Sequence, residues 1–307
     1  MSMFTPYEVE RILSRIANDK ANGFQREVLY PQLARAMRIS SSLPEAVREA
    51  LADPYYAFRA MLGYYAFAKR GNDRLEYSGF ALQALERALN GSKENFPAFL
   101  ESRDASQKLW EVFVQVCQEH QRKVNEQLNR GLIEGLAGYA QRIYQEDGIG
   151  NIWTTIQRDI VRTGRVEPVY NTITEIKGIG PKVGALVLRD MVALYDMESI
   201  IDPSDYHYLQ PVDTWIRRIG PLLTDEITND TADWVIAGKL SKLCRRNRVS
   251  RVRFNQGVQY LAIIEVRHLD HLKDYLRQLA KEGAQNGTRA PAGPARPTAT
   301  RSFTGRR

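Results

Sequence analysis

Apolar side chains recur every three or four residues along most of the chain, and polar or charged residues stand between them. This is the period of an amphipathic helix, whereas the strict alternation that marks a half-buried strand is absent from the sequence. The pattern therefore predicts an all-α fold. The predicted helices are Tyr7–Ala21, Pro31–Met37, Pro54–Lys69, Ser78–Leu89, Ser106–Glu119, Val124–Gln145, Ile152–Thr163, Thr172–Lys177, Val183–Tyr195, a helix that begins at Asp213, Asp230–Cys244, Phe254–Ile264 and His268–Lys281.

One of these helices, Pro54–Lys69, is predicted to lie at the centre of the core. The sequence Tyr-Tyr-Ala-Phe occurs in it twice, with an offset of nine residues. Nine residues are two and a half helical turns, so the two copies fall on opposite faces. A helix that is apolar on both faces is usually buried among its neighbours. We interpret its aromatic residues as packing rather than as a stacking surface for a ligand.

Composition indicates a soluble globular protein, because 43% of the 307 residues are hydrophobic and 26% are charged. The formal net charge is +7, but residues 281–307 alone hold six basic residues and one acidic residue. That end of the chain consists mostly of Gly, Pro, Ala, Thr and Arg and is predicted to be disordered. The sequence is therefore divided into an N-terminal helical region (1–100), a second helical domain (101–281) and a disordered basic tail (282–307).

Several classes of protein are excluded by what the sequence lacks. Cys117 and Cys244 are too few for a disulfide framework or for a four-cysteine zinc or iron–sulfur site, so we predict no metal and no other cofactor. The start shows no secretory signal. The longest apolar stretch, around Tyr55–Ala68, is interrupted by Arg59 and is too short to cross a bilayer. We therefore expect a cytoplasmic protein that does not associate with membranes.

A strongly basic segment lies between Lys239 and Arg253. It carries seven positive charges and no acidic residue, with Arg245 and Arg246 near its middle. Such a segment is typical of a surface that faces phosphate groups, although it is also compatible with a solvated helix end. Arg245 and Arg246 are the two residues in it that we expect to contact a nucleic-acid backbone.

The segment Ile-Lys-Gly-Ile-Gly-Pro-Lys-Val-Gly-Ala (176–185) predicts two helices joined by a tight turn. Gly178 and Gly180 permit a close approach of the turn to a partner, and a proline after Gly180 fits the first position of a helix. The free N–H groups and the dipole of that helix favour an anion such as a DNA phosphate. This is the pattern of a helix-hairpin-helix motif, in which Lys182 could grip a phosphate or act as a nucleophile. The residues predicted to contact the DNA backbone here are Lys177, Gly178, Gly180 and Val183.

A carboxylate follows about thirty residues later in Pro-Val-Asp-Thr-Trp-Ile-Arg-Arg (211–218). Asp213 is well placed to cap the N-terminus of the next helix. The same carboxylate could stabilise positive charge that develops on a deoxyribose ring. The capping role and the chemical role are compatible.

Together the two segments resemble the helix-hairpin-helix (HhH-GPD) superfamily of base-excision DNA glycosylases, which includes endonuclease III and 8-oxoguanine glycosylase. The resemblance implies a two-lobed helical fold, Lys182 as the nucleophile of a glycosylase and AP lyase, and Asp213 as its catalytic assistant. It also implies a monomer that acts on double-stranded DNA containing a damaged or modified base, associated with the nucleoid in a bacterium or archaeon. Because cluster cysteines are missing, the resemblance is closest to the cluster-free 8-oxoguanine glycosylase-like branch. Trp215 stands where the family often has histidine, and the loop before Asp213 is longer.

The residues that would select the base are less sharply indicated. Trp215 and the cluster Tyr206, His207 and Tyr208 lie close to Asp213 in the sequence and could stack on a base or bind it through hydrogen bonds. Packing in the core is the alternative for each of them. Two other functions are compatible with the same motifs: a non-catalytic helix-hairpin-helix DNA-binding protein, and a glycosylase directed at modified invading DNA.

Overall fold

The computed structural model describes residues 3–68 and 74–285, and within these ranges every regular element is a helix. The all-α prediction is therefore confirmed. The sixteen α-helices of the described residues are α1 (Pro6–Arg15), α2 (Ala21–Phe24), α3 (Tyr30–Met37), α4 (Pro44–Leu51), α5 (Pro54–Ala60), α6 (Arg74–Ala88), α7 (Phe96–Glu101), α8 (Ala105–Glu119), α9 (Glu126–Asp147), α10 (Ile152–Thr163), α11 (Glu167–Glu175), α12 (Pro181–Leu194), α13 (Thr214–Leu223), α14 (Asp233–Arg246), α15 (Arg251–Tyr260) and α16 (Leu272–Gln285).

Short π-helical and 3₁₀-helical segments connect or extend several of these helices. The π segments are Ile16–Lys20, Gln25–Leu29, Met61–Tyr65 and Leu261–Glu265, and the 3₁₀ segments are Lys93–Asn95, Met197–Ile200, Pro203–Leu209 and Leu269–His271. The segment between α12 and Asp213, expected to be a long loop, thus contains two 3₁₀ helices. Of the predicted basic tail, residues 286–307 lie outside the described residues.

The buried apolar side chains form two clusters. The first includes most of those from Phe24 to Leu209 and is joined by Val252 and Tyr260 of α15. The second combines residues 4–17, at the start of the chain, with residues 216–280. Helix α15 contributes to both clusters, and a Cβ added at its Gly257 would lie 2.0 Å from the carbonyl oxygen of Ile16. The beginning of the chain is thus an integral part of the C-terminal core.

The predicted central helix is buried, as its two-faced pattern indicates, but it is less regular than expected. Helix α5 ends at Ala60 and continues as the π segment Met61–Tyr65. Arg59, the charge that interrupts the apolar stretch, is buried and donates hydrogen bonds to Ala36 O (3.0 Å) and Glu86 Oε1 (2.7 Å). Both partners lie on neighbouring helices, so a charged residue can be accommodated in this core.

Side-chain caps determine where several helices begin. Asn151 caps α10 by accepting hydrogen bonds from Trp153 N and Thr154 N, and its amide donates to the carbonyl groups of Leu51 and Ala52. One side chain thereby joins two helices that are far apart in the sequence. No helix of the described ranges is long and apolar enough to cross a membrane.

Candidate functional site

The turn between α11 and α12 has the backbone geometry that its glycines allow. Gly178 has a φ of +93°, and a Cβ added there would lie 2.9 Å from the Leu132 Cβ. Both the conformation and the close approach therefore require glycine. Gly180 is the N-cap of α12, and Pro181 occupies its first position, as predicted.

Helix α9 supports this turn through two glycines of its own. A Cβ at Gly131 would lie 2.5 Å from the Lys177 Cδ, and one at Gly135 would lie 3.1 Å from the Ile176 Cγ2. The two glycines are four residues apart, so they lie on one face of α9 and let the turn approach its backbone. The aliphatic part of Lys177 rests on this face, while the residue as a whole is exposed.

The first turn of α12 presents unpaired polar groups to solvent. The N–H groups of Gly180 and Lys182 donate no hydrogen bond to any residue that the structure describes. The Lys182 side chain is exposed and forms no ion pair within the described part of the chain. Free N–H groups and a positive charge at a helix N-terminus together make a suitable place for an anion.

Asp213 caps α13, as predicted. Its Oδ1 accepts hydrogen bonds from Trp215 N and Ile216 N, both at 3.0 Å. Its Oδ2 has no hydrogen-bonding partner among residues 3–68 and 74–285, and the residue is only half-buried. Oδ1 thus has a structural role as the helix cap, and Oδ2 is available for a chemical role.

Lys182 lies in the wall of an open cleft of about 550 Å³. Val212, the residue before Asp213, lines the same cleft, but Asp213 itself is not one of the lining residues. The cleft therefore brings Lys182 together with the segment of Asp213, and the carboxylate lies one residue beyond the lining. The residues that line the cleft are Tyr170, Pro181, Lys182, Ala185, His207, Tyr208, Gln210, Val212, Asp233, Trp234 and Ala237.

Aromatic rings form much of the cleft wall. The ring centroids of Tyr170 and Tyr208 are 4.6 Å apart, and those of His207 and Tyr208 are 3.9 Å apart. Trp234 on α14 also lines the cleft and is 73% exposed. Burial raises the pKa of Tyr170 and, with Glu167 beside it, that of Tyr208. Both phenols therefore keep their protons at neutral pH.

Two of the four residues predicted to form a base pocket line this cleft, namely His207 and Tyr208. Tyr206 is buried and does not line the cleft; its hydroxyl donates to Glu198 O (2.6 Å), and its ring stacks against the Arg251 guanidinium. Trp215 packs against the second hydrophobic cluster and does not line the cleft.

Sequence reasoning missed Tyr170 and Trp234. Trp234 lies off the buried face of α14, which consists of residues such as Ile236 and Leu240. A tryptophan on the polar face of an amphipathic helix is a signal that could have identified it. No comparable signal existed for Tyr170, because its contacts with Tyr208 form only when α11 meets the 3₁₀ helix Pro203–Leu209.

A buried polar network joins the helix of Lys182 to the segment of Asp213. Arg189, on α12, pairs with Asp190 and donates to Asn255 Oδ1 on α15 at 2.8 Å. Asn255 in turn donates to Gln210 Oε1 and Pro211 O, both at 3.3 Å. All of these side chains are buried, so each hydrogen bond is formed away from water and restrains its partners. The network fixes the cleft wall at Gln210 relative to α12.

Asp205 anchors the opposite end of the same wall. It is 1% exposed and accepts hydrogen bonds from Val166 N (2.7 Å), Glu167 N (3.0 Å) and the Arg165 guanidinium (2.9 Å). Burial raises its pKa, but the hydrogen bonds from Arg165 and the two amides outweigh burial and lower that pKa below its usual value. Asp205 thereby caps α11 from the 3₁₀ helix that carries His207 and Tyr208.

The basic segment does not form one continuous surface. Arg246 pairs with Glu226 at 3.0 Å, and Arg253 donates to Ala17 O at 3.0 Å near the start of the chain. Arg245 instead lines a smaller pocket beside the cleft. The acidic and carbonyl partners come from distant parts of the sequence, which is why the charge run alone could not show this division.

Comparisons with protein-family profiles, with curated proteins and with solved structures match no protein to this chain. An exposed amine in the cleft wall can attack an electrophilic carbon, and the rings of Tyr170, His207 and Trp234 can stack on a planar group. Within the described residues, no three His, Cys, Asp or Glu side chains are grouped to hold a metal ion.

Proposed function

We propose that this protein is a DNA glycosylase with AP-lyase activity, which excises a damaged or modified base from double-stranded DNA through Lys182, assisted by Asp213. The observation that carries this proposal is the exposed Lys182 amine in the wall of an open, aromatic-lined cleft that Val212 also lines. A single extruded nucleotide needs such a cleft, because its reacting carbon is out of reach inside the duplex.

In this proposal α11, the turn and α12 form a helix-hairpin-helix motif that holds the DNA backbone. The free N–H groups at Gly180 and Lys182 would bind a phosphate, and the exposed Lys177 would add a positive charge. The two hydrophobic clusters would correspond to two lobes, since the cleft is lined both by α12, which belongs to the first cluster, and by α14, which belongs to the second. DNA bound at the turn would therefore lie beside the cleft.

The proposed reaction begins when the uncharged Lys182 amine forms a bond to the deoxyribose C1′. The bond between C1′ and the base nitrogen breaks, and the base leaves with the electron pair and takes up the proton that the attacking amine loses. The sugar ring then opens at the C1′–O4′ bond, O4′ takes up a proton from solvent, and the lysine nitrogen forms a protonated Schiff base with C1′. Loss of a proton from C2′ and of the 3′ phosphate cleaves the strand.

Asp213 would act through the oxygen that the helix cap leaves free. Its Oδ1 is held by Trp215 N and Ile216 N, which fixes the carboxylate plane. The unpaired Oδ2 could then stabilise the positive charge on the sugar as the base departs, or accept a proton. The cap thus orients the group that the chemistry uses.

The test is a screen of duplexes that each carry 8-oxoguanine, uracil, thymine glycol or an alkylated base. We expect the wild-type protein to cleave at least one of them and Lys182→Gln to cleave none while still binding DNA. Lys177→Gln is the matched control, because Lys177 is an exposed lysine of the same turn that does not line the cleft. It should lower the affinity for DNA but retain cleavage when the protein is in excess.

A second candidate function is non-catalytic DNA binding, which the free N–H groups of the turn also favour. Here Lys182 grips a phosphate and Asp213 serves only as a cap. A Lys182→Gln/Asp213→Asn double variant distinguishes the two. A double variant that retains DNA binding and every measurable activity of the wild type would favour this candidate over the glycosylase.

A further inference from the structure

Helix α14 carries a glycine in its interior for which packing gives no reason. Gly238 has ordinary helical φ, and no atom lies within 4 Å of the position that a Cβ would take. Glycine inside a helix is less stable than alanine, because it loses more conformational freedom on folding. What Gly238 does provide is open space at one side of α14.

That space is the floor of a small pocket of about 220 Å³ next to the cleft. We call it the basic pocket, and its walls include Tyr206, Ser241, Lys242, Arg245 and Arg251. His207 lines both the basic pocket and the cleft, so the two are adjacent.

The positive charges of the basic pocket are only partly compensated. Lys242 and Arg245 are exposed and form neither an ion pair nor a hydrogen bond with any residue of the described ranges. Lys239 and Arg246 on the same helix differ, because both pair with Glu226. The two unpaired cations are thus the ones that face the pocket.

The remaining groups of the wall also suit an anion. The Arg251 guanidinium stacks 3.3 Å from the centroid of the Tyr206 ring, and its Nε is 4.0 Å from Glu198 Oε1, which offsets part of its charge. Ser241 is 9% exposed, and its hydroxyl has no partner among the residues described. Buried hydroxyl groups without a partner are uncommon, so Ser241 leaves a hydrogen-bonding group unused at the wall of the pocket.

We propose that the basic pocket binds one backbone phosphate of the DNA strand that enters the cleft. The proposal rests on the proposed function, since it assumes that the cleft takes an extruded nucleotide. Helix α14 connects the two sites, with Trp234 at the cleft and Arg245 at the basic pocket. A strand whose nucleotide enters the cleft would pass the pocket with a neighbouring phosphate. The hairpin turn would hold the strand at another position.

The test measures how the affinity for a short duplex with an abasic-site analogue depends on salt, by fluorescence anisotropy. Each phosphate neutralised by the protein contributes about 0.9 to the slope of log K against log salt. Arg245→Gln and Gly238→Glu should each reduce the magnitude of the slope by about 0.9, because one removes a cation and the other places a carboxylate in the pocket. A Cβ at Gly238 meets no atom within 4 Å, so Gly238→Glu should fold normally.

Two matched variants serve as controls. Arg246→Gln removes an arginine whose charge is already paired with Glu226, and Gly238→Ala adds a methyl group that leaves most of the pocket open. Both should retain the wild-type slope, and Gly238→Ala should raise the unfolding temperature. Inorganic phosphate is titrated in parallel to compare a free anion with DNA.

The outcomes separate this proposal from the proposed function. Wild-type slopes for Arg245→Gln and Gly238→Glu, in a protein that still cleaves lesion duplexes, would overturn the phosphate pocket alone. If the wild-type protein fails to bind DNA at any salt concentration, both the phosphate pocket and the proposed function are overturned. Inorganic phosphate that binds at the pocket while the DNA slope stays unchanged in the variants would assign the pocket to a free anion and overturn the DNA assignment.

Discussion

At the scale of single residues, Asp213 combines a cap and a candidate catalytic group, and two substitutions separate them. Asn caps a helix about as well as Asp, so Asp213→Asn should leave the free energy of unfolding nearly unchanged. Asp213→Ala should lower it by about 1 kcal/mol. Both should reduce single-turnover excision by about 100-fold or more, the scale of an acid–base group. Urea unfolding and excision assays measure the two effects, and full activity of Asp213→Asn would limit the residue to capping.

The site residues that could be predicted from the sequence are those whose roles depend on close neighbours in the chain. The glycine turn, Pro181 at the start of α12 and the cap by Asp213 all involve residues close in sequence, and the structure has them as predicted. The aromatic wall was only half predicted, because Tyr170 and Trp234 reach the cleft from helices that are distant in sequence. Side chains that meet only through tertiary contacts leave little trace in a local pattern.

At the scale of elements, Asp205 links α11 to the 3₁₀ helix Pro203–Leu209 and should make stability depend on pH. Its pKa in the folded protein is lowered, so it contributes stability above the unfolded pKa of about 3.9 and loses it as the pH falls through the folded value. We expect the contribution of Asp205 to the free energy of unfolding to be constant between pH 7 and 5. At pH values below about 4 this contribution should decrease.

The control is Asp205→Asn, which keeps the size of the side chain but removes its charge. It should be less stable than the wild type at pH 7, and the difference should shrink at pH 3, where the carboxylate is largely protonated in the unfolded wild type. Urea unfolding at the two pH values provides the comparison. If the wild type and Asp205→Asn differ in stability by the same amount at pH 7 and pH 3, the charge of Asp205 does not contribute to stability.

The contact between Asp205 and α11 also explains why the start of this helix was predicted inaccurately from the sequence. Helix α11 begins at Glu167, five residues before the predicted Thr172. The cap that allows this start is Asp205, whose carboxylate accepts from Val166 N and Glu167 N. Because the cap is supplied by a distant segment, no cap residue in the local sequence marked the start.

At the scale of the whole molecule, the beginning of the chain completes the C-terminal core. Ile16 packs against α15 so closely that a methyl group at Gly257 would collide with its carbonyl oxygen. We predict that Gly257→Ala lowers the free energy of unfolding by about 3 kcal/mol, at the upper end of the cost of overpacking. Gly79→Ala is the control, because a Cβ there meets nothing within 4 Å. It should be neutral or stabilise by up to about 1 kcal/mol, and equal stabilities of the two variants would contradict this packing.

This arrangement could not be read from the helical pattern. The periodicity of Tyr7–Ala21 predicted a buried face but not the partner that covers it. Residues 4–17 turn out to share a hydrophobic cluster with residues 216–280. Amphipathic helices specify how much surface is buried, whereas the pairing of helices depends on shape, as between Gly257 and Ile16.

The central proposal, that Lys182 forms a covalent bond with DNA, is tested most directly by locating the bond. Wild-type protein is incubated with a duplex that it cleaves, reduced with borohydride, digested and analysed by mass spectrometry. We expect the sugar adduct on the peptide that contains Lys182 and no adduct in Lys182→Gln. An adduct on Lys177 or another amine, or unchanged trapping in Lys182→Gln, would contradict the proposal.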